Sequence, residues 1–235
     1  MTKNSVIKLL LAAVILIAGS IMKTVTAKAG ELNVTRMLYS ELEMQNPANM
    51  PSEEVFAIAY KGHQALKAVP ETVKKDILTV IDFSLSSNEK RLWIIDIETK
   101  QVLFNDYVAH GRNSGNEEAG AFSNVSGSYM SSIGFYVTGE TYQGKHGLSL
   151  FLEGMDKDYN CNARNRAIVM HGADYVSADF IQQYGRLGRS LGCPSVSMEI
   201  HQEVINTIKD GSTLFIYYPD PTFLKTSALL NPPAV

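Results

Sequence analysis

The chain lacks the features that would assign it to several special classes of protein. It carries no large charge of one sign, because its 235 residues have a formal net charge of −3. This balance gives no indication that the protein binds nucleic acid or an anionic membrane surface. Low-complexity tracts and repeats of fixed period are also missing. With 45% hydrophobic and 19% charged residues, the composition is that of a globular protein with a substantial core.

Apolar runs long enough to cross a membrane are lacking too. The run from Leu9 to Ile17 is shorter than the roughly 20 apolar residues of a spanning helix. Lys3 and Lys8 give a positive start, and small residues follow the run, so residues 1–29 are predicted to be a signal peptide cleaved before Gly30. Including Gly19 to Met22 leaves an uncleaved anchor open. No cysteine lies near this segment, which excludes a lipid anchor. We expect an exported protein with no other membrane contact.

Cysteine is scarce, since the chain has two, Cys161 and Cys193. In an oxidising compartment such a pair often forms a disulfide, and that alternative stays open. A single bridge adds little to a chain with an ample core, so we expect both residues to be free thiols. Cys193 then becomes a candidate reactive thiol.

Apolar spacing divides the mature chain into a helical part and a strand-rich part. Residues 30–80 are predicted to be a small helical region, with helices from Leu32 to Leu42 and after the Ser52 N-cap, and a further helical pattern from Val73 to Val80. Residues 81–220 are mainly β with some α, and their glycine-rich turns are typical of a twisted sheet, sandwich or open barrel. Residues 221–235 form a tail. The predicted strands are Leu92–Ile97, Val102–Val108, Ile133–Thr138, Leu148–Leu152, Ala167–Met170 and Ser212–Tyr218, and the inserted helices are Ala178–Tyr184 and Met198–Lys209. The polar Glu98-Thr99-Lys100 between the first two strands predicts a hairpin.

The stretch from His171 to Cys193 contains the candidate catalytic residues. His171 follows the apolar strand Ala167–Met170, and Cys193 lies in a Gly-Cys-Pro turn. Catalytic residues are often mounted on loops at strand ends. A cysteine becomes a strong nucleophile when a neutral imidazole takes its proton, and the amides of Cys193 and Gly192 could form an oxyanion hole. The pattern therefore predicts a cysteine-histidine pair.

These residues resemble the signature of the YkuD-type L,D-transpeptidases of bacterial cell walls, a His-Gly followed by Ser-x-Gly-Cys. Here the signature reads His171-Gly172 and Ser190-Leu191-Gly192-Cys193. The chain is most similar to the variant branch described as a murein L,D-transpeptidase catalytic domain family. The likeness extends over residues 80–220 through RLWIIDIETKQVLF, HGRNSG, GFYVTGETYQGKHG and RAIVMHGADYVS. It implies a YkuD-like twisted β-sandwich or open barrel with inserted helices, preceded by the small helical region.

The resemblance also implies an activity and a location. Cys193 would be the nucleophile, His171 the general base and Ser190 the motif serine of a cysteine acyltransferase in the periplasm or cell envelope. The enzyme would attack a peptidoglycan stem tetrapeptide at the carbonyl on the L-centre of its third residue, release the terminal D-Ala and need no metal or organic cofactor. An amine acceptor would give a cross-link, and water would give a carboxypeptidase or amidase-type hydrolase. A non-catalytic wall-binding module is less favoured, because nucleophile, base and motif serine are all present.

Two positions depart from the better-known branch of the family. Leu191 stands where that branch has His or Tyr, and Pro194-Ser195 stand where it has a hydrophobic residue and an arginine. Without that arginine, substrate anchoring falls to other residues. We expect this role for Arg189, Arg186, His146 and Arg112. A zinc site built from His110, His146, His171 and Cys193 lacks close metal-ligand spacing. Solvated charges are expected at Arg164, Arg166 and Asp174.

Overall fold

The computed structural model describes residues 30, 32–47 and 49–232. The predicted signal peptide, residues 1–29, lies outside them. The chain separates into two compact units, Met1–Glu41 and Leu42–Val235. In the first unit the described residues, 30 and 32–41, are helical, as predicted. Within the described part of the chain, every helix is too short or too polar to cross a membrane.

In the described residues of the second unit, eight strands form one sheet; they are β1 Ile77–Asp82, β2 Leu92–Asp96, β3 Gln101–Asp106, β4 Gly134–Gly144, β5 Gly147–Gly154, β6 Val169–Ala173, β7 Ser195–Ser197 and β8 Thr213–Tyr217. Their order in the sheet is β3-β2-β1-β8-β4-β5-β6-β7. The protein is therefore mostly sheet with some helices, as the sequence predicts. Neighbouring strands are antiparallel, except for the parallel pairs β1–β8 and β6–β7.

The helical pattern expected from Val73 to Val80 is wrong, because this stretch runs into strand β1. All residues of β1 after Ile77 are buried, and the strand pairs with β2 on one side and with β8 on the other. The sequence of a central strand that is covered on both faces is a continuous apolar run. Such a short run has no period that separates a buried strand from a buried helix.

The helix Glu53–Lys67 packs against the sheet and begins where the sequence predicts. Ser52 caps it by accepting a hydrogen bond from the Val55 amide. Its buried face includes His63, which has no exposed surface. The Nδ1 atom of His63 lies 2.8 Å from the hydroxyl oxygen of Thr213 in β8. This bond fixes the helix to the centre of the sheet.

The predicted β2–β3 hairpin is confirmed, and a second hairpin, which the sequence does not predict, carries a site residue. Strands β2 and β3 pair across the turn that contains Glu98-Thr99-Lys100. Strands β4 and β5 pair up to Gly144 and Gly147, so that Lys145-His146 form the two-residue turn. His146 therefore lies at the tip of a long hairpin.

The parallel pairing of β6 with β7 sets the geometry of the site. Strand β6 begins later than predicted and runs through His171, so this residue lies within the strand and not in a loop behind it. In the register, His171 is opposite Ser195. The connection between the two strands contains the predicted helix Ala178–Tyr184, and it returns Cys193 to the start of β6. The other predicted helix is shorter than expected, His201–Ile208, and an unpredicted one follows β8 at Pro221–Thr226.

Candidate active site

His171 and Cys193 line the same cleft, whose volume is about 500 Å³. Strand β6, the turn between β4 and β5, and the loop before β7 contribute to its walls. The charged residues that line the cleft are Lys145, Arg166 and Arg189, and no aspartate or glutamate lies among the described lining residues. The cleft therefore presents a cationic surface around the two candidate catalytic side chains.

The contacts of His171 define which ring nitrogen can accept a proton. Its Nδ1 atom lies 2.8 Å from the carbonyl oxygen of Gly172. A carbonyl oxygen can only accept, so Nδ1 carries the hydrogen and Nε2 keeps its lone pair. The Nε2 atom lies 3.0 Å from the hydroxyl oxygen of Ser195. Burial lowers the pKa of His171, which favours the neutral ring.

The Cys193 thiol is held at the beginning of β6. Its Sγ atom accepts a hydrogen bond from the Val169 amide at 3.5 Å and donates one to the Ala167 carbonyl at 3.7 Å. Burial raises the pKa of Cys193, whereas the Val169 amide and the charge of Arg166 lower it. His171 and Cys193 thus face one cleft, but each makes its hydrogen bonds to other partners.

Ser190 shapes the turn that presents the thiol. Its hydroxyl donates to the Cys193 carbonyl at 2.6 Å and accepts from the Gly192 amide at 3.0 Å. Gly192 has a φ of 125°, a conformation that side-chain-bearing residues rarely adopt. While Ser190 holds the Gly192 amide, the Cys193 amide is the remaining oxyanion donor of the predicted pair.

Gly172 allows the side chains of Met198 and His201 to pack closely against strand β6 next to His171. A Cβ atom at this position would lie 2.7 Å from both the Met198 sulfur and Cγ of His201. His201 is itself buried, and its Nδ1 atom lies 2.8 Å from the Met198 carbonyl oxygen. A side chain in place of the glycine of the His-Gly pair would therefore displace Met198 and His201 next to His171.

The predicted substrate-binding residues separate into two groups. His146 and Arg189 line the cleft, and the ring of His146 stacks on that of His171 with centroids 4.4 Å apart. Arg112 and Arg186 are not lining residues. The guanidinium of Arg112 lies 4.3 Å from the ring centre of Tyr129, which does line the cleft. The guanidinium of Arg186 donates to its neighbouring Leu187 carbonyl at 2.6 Å.

Arg166 lines the cleft, although the sequence suggests a solvated charge. It is partly buried and donates to the carbonyls of Ser123 and Met130 at 2.6 and 2.7 Å. It also contacts the hydroxyls of Ser132 and Ser128 at 2.5 and 3.2 Å. No periodic signal marks this residue, because its partners lie more than thirty positions earlier in the chain. Arg164 and Asp174 are exposed, as expected.

His110 lies behind the motif turn and outside the cleft lining. Its carbonyl accepts a hydrogen bond from the Ser190 amide at 3.0 Å. The buried ring accepts at Nδ1 from Arg91 at 2.8 Å, and burial lowers the pKa of His110 to about 4. Among the described residues, no group of three or more His, Cys, Asp or Glu side chains is arranged to hold a metal ion.

Both cysteines are free thiols, and no disulfide joins them. Cys161 is exposed, and the Asn124 side-chain amide donates to its sulfur at 3.3 Å. It does not line the cleft that contains Cys193.

Comparisons with known proteins identify the family. A model of the L,D-transpeptidase catalytic domain, YkuD_2, matches residues 48–217. A search of curated proteins gave no significant match. Similar solved structures include an L,D-transpeptidase from Mycobacterium smegmatis, with 10% identity, a TM-score of 0.39, and coverage of 61% of this chain and 59% of that one.

A variant of the helical cell shape determining protein Pgp2 from Campylobacter jejuni is also similar, with 12% identity, a TM-score of 0.40, and coverage of 68% and 57%. An L,D-transpeptidase from Stackebrandtia nassauensis has 13% identity, a TM-score of 0.37, and coverage of 80% and 92%. The chain spans less than two thirds of the M. smegmatis and C. jejuni structures. Since the family model matches most of its residues, the chain belongs to the L,D-transpeptidase catalytic domain family.

Proposed function

We propose that this protein is an exported L,D-transpeptidase that acts on peptidoglycan stem peptides through a thioester at Cys193. Its family supports an enzyme with a peptidoglycan-related transpeptidase or hydrolase role. The observation that carries the finer proposal is that the Cys193 thiol and the neutral, Nε2-accepting His171 line one cleft. Export to the periplasm or cell envelope rests on the sequence pattern of residues 1–29.

The directions of the two pKa shifts favour a neutral Cys193 thiol and a neutral His171 ring before substrate reacts. Burial raises the pKa of Cys193 and lowers that of His171, so both shifts oppose the thiolate and the imidazolium. The thiol must therefore lose its proton when the substrate reacts, and His171 is the base that can accept it. The Val169 amide at Sγ then stabilises the developing thiolate.

The proposed first step transfers the acyl group to the enzyme. Cys193 Sγ forms a bond to the carbonyl carbon on the L-centre of the third stem residue, while the thiol proton goes to the base. The bond from this carbon to the nitrogen of the terminal D-Ala then breaks, and the proton returns from His171 to the leaving amine. The product is a thioester on Cys193 and a free D-Ala.

The second step resolves the thioester. The side-chain amine of another stem attacks the acyl carbon, the carbon–sulfur bond breaks, and the thiol is restored with a proton from the attacking amine. Water in place of the amine gives hydrolysis, so transfer and hydrolysis share one acyl-enzyme. No organic cofactor takes part in this chemistry.

The charge of the cleft supports an anionic peptide as the substrate. Lys145 and Arg189 line it without an acidic neighbour among the described lining residues. Stem peptides carry free carboxylates, and a cationic cleft attracts and orients such groups. Arg189 also donates to the Gly115 carbonyl at 2.9 Å, which holds its side chain against the loop wall.

Mass spectrometry of the products separates transfer from hydrolysis. The purified protein is incubated with a stem tetrapeptide that ends in D-Ala and carries a side-chain amine on its third residue. We expect D-Ala release and a cross-linked dimer with the wild type and with Cys161→Ala, and neither product with Cys193→Ala. Tripeptide without dimer would assign a hydrolase. Conversion by Cys193→Ala at the wild-type rate would contradict the proposal.

A further inference from the structure

A chain of two hydroxyl groups leads away from His171 Nε2. The Ser195 oxygen lies 3.0 Å from Nε2 and 3.2 Å from the Tyr175 hydroxyl oxygen. Because Nδ1 gives its hydrogen to Gly172, Nε2 can only accept, so Ser195 donates to it. The Ser195 oxygen is then free to accept from Tyr175. The hydrogen bonds therefore run in one direction, from Tyr175 through Ser195 to His171.

Both members of this chain have fixed positions. Ser195 has no exposed surface and lies opposite His171 in the β6–β7 register. The Tyr175 ring packs on Gly188, where a Cβ atom would lie 2.3 Å from Cβ of the tyrosine. The Gly188 amide also donates to the Tyr175 carbonyl at 2.9 Å.

Tyr175 extends this series of hydrogen bonds to the cleft. It lines the cleft together with Cys193 and His171. Burial raises the pKa of Tyr175, and a thiolate at Cys193 raises it further. The hydroxyl group is therefore protonated at neutral pH and can act as a donor to Ser195 and as an acceptor toward the cleft.

Any proton transfer requires the thiol hydrogen of Cys193 to turn away from the Ala167 carbonyl, and direct transfer to His171 also requires Nε2 to leave Ser195. Sγ is bonded to the Val169 amide and the Ala167 carbonyl, and Nε2 is bonded to Ser195. Transfer through the two hydroxyl groups leaves the His171 ring where it is. Ser195 is also one of the positions at which the chain departs from the better-known branch of its family.

We propose that Ser195 and Tyr175 are positioning residues that orient His171 Nε2 and relay a proton between it and the cleft. This inference rests on the proposed function of Cys193 and His171. The Tyr175 oxygen takes up the proton of the thiol while the Tyr175 hydroxyl proton passes to Ser195 and the Ser195 proton passes to Nε2. Three protons each move by one position, so that one proton is transferred in net from the thiol to Nε2; a thiolate and an imidazolium form, and nothing is oxidised or reduced.

The test is the alkylation of Cys193 by iodoacetamide, measured against pH in a Cys161→Ala background. His171→Ala should slow the reaction at neutral pH by about 10²–10⁴-fold, as for a lost general base. We expect Ser195→Ala and Tyr175→Phe to slow it at least about tenfold each, in the same pH range. Ser195→Thr keeps the hydroxyl group and should restore most of the rate. Tyr175→Phe removes one oxygen from a partly exposed residue, so its melting temperature should stay near that of the wild type.

The outcomes distinguish the relay from the function on which it rests. A Tyr175→Phe protein that reacts at the wild-type rate overturns the relay, whatever Ser195→Ala does. If His171→Ala is slow while Tyr175→Phe is fast, the relay alone is wrong and the cysteine-histidine pair remains. If His171→Ala itself reacts like the wild type, the pair and the relay are both wrong. Slow reaction in all three variants, with rescue by Ser195→Thr, supports the relay.

Discussion

The imidazole rings of His146 and His171 stack with their centroids 4.4 Å apart and their planes at 23°. His146 comes from the tip of the β4–β5 hairpin and His171 from β6, so the contact joins the hairpin turn to the wall of the cleft. Burial lowers the pKa of His171, and charge on His146 and on His201 acts in the same direction. The hairpin therefore helps to keep His171 in the neutral form that can accept a proton.

Replacing His146 should shift the pH dependence of the site. In His146→Ala the His171 ring is less covered and loses its charge interaction with His146, and because both lower the pKa of His171, this pKa should rise. His171 must be neutral to act as a base. The acid limb of the pH–rate profile for Cys193 alkylation should consequently move to higher pH. Lys145→Ala, in the same turn, is the control and should leave the limb unchanged. An unchanged limb in His146→Ala, or equal shifts in both variants, would show that the ring stack does not set this pKa.

Arg166 should contribute to both stability and thiol chemistry. Arg166→Gln leaves the partly buried acceptors around residues 123–132 without their charged donor, which should lower the free energy of unfolding by about 1–3 kcal/mol. It should also raise the pKa of Cys193, because the charge of Arg166 lowers it. Urea unfolding and the pH profile of alkylation measure the two effects.

Arg164→Gln is the matched control, because Arg164 makes exposed ion pairs with Glu140 and Glu153. Surface pairs of this kind contribute little to stability, and Arg164 does not line the cleft. We expect almost no change in unfolding and none in the alkylation profile. Equal losses in the two variants would contradict a specific role for Arg166.

Much of the strand-rich part could be predicted because its signals are local. The turn at Glu98-Thr99-Lys100 predicts the β2–β3 hairpin, and Ser52 predicts a helix start from its own neighbours. The His-Gly and Gly-Cys-Pro segments predict that His171 and Cys193 share a cleft, since a strand and a returning helix connect them. In the first two cases, residues close in sequence determine the structure, and in the third the two motif segments themselves mark the residues.

The features that the sequence does not predict depend on residues far apart in the chain. Strand β1 resembles a helix in its apolar pattern because other parts of the fold cover both of its faces. Arg166 resembles a solvated charge because its acceptors, such as Met130, come from a distant loop. The contact of Ser195 with His171 follows from the β6–β7 register, and β7 has only three residues, too few for a periodic signal.

Replacement of Gly192, the glycine of the motif turn, by alanine should destabilise the protein more than the same replacement at Gly185, which also has a positive φ. Gly185 has a φ of 74°, and a Cβ atom added there would have nothing within 4 Å. Alanine at this position should cost about 1 kcal/mol in backbone strain. Gly192 has a φ of 125°, and its Cβ atom would lie 2.8 Å from the Met130 carbonyl oxygen.

Gly192→Ala should therefore lower the free energy of unfolding by about 2 kcal/mol or more. It should also slow Cys193 alkylation, because the turn that presents the thiol must shift. Gly185→Ala should keep the wild-type alkylation rate. Chemical denaturation and alkylation kinetics of the two variants check this prediction, and equal behaviour would show that the Met130 contact is unimportant.

The most direct measurement of the central claim is the site of covalent acylation by a carbapenem, read from intact mass and peptide mapping. The account predicts one adduct on the wild type and on Cys161→Ala, mapped to Cys193 in both. Cys193→Ala should remain unmodified under the same conditions while it unfolds at a similar temperature. An adduct on Cys161, or acylation of Cys193→Ala at the wild-type rate, would contradict the assignment of Cys193 as the nucleophile.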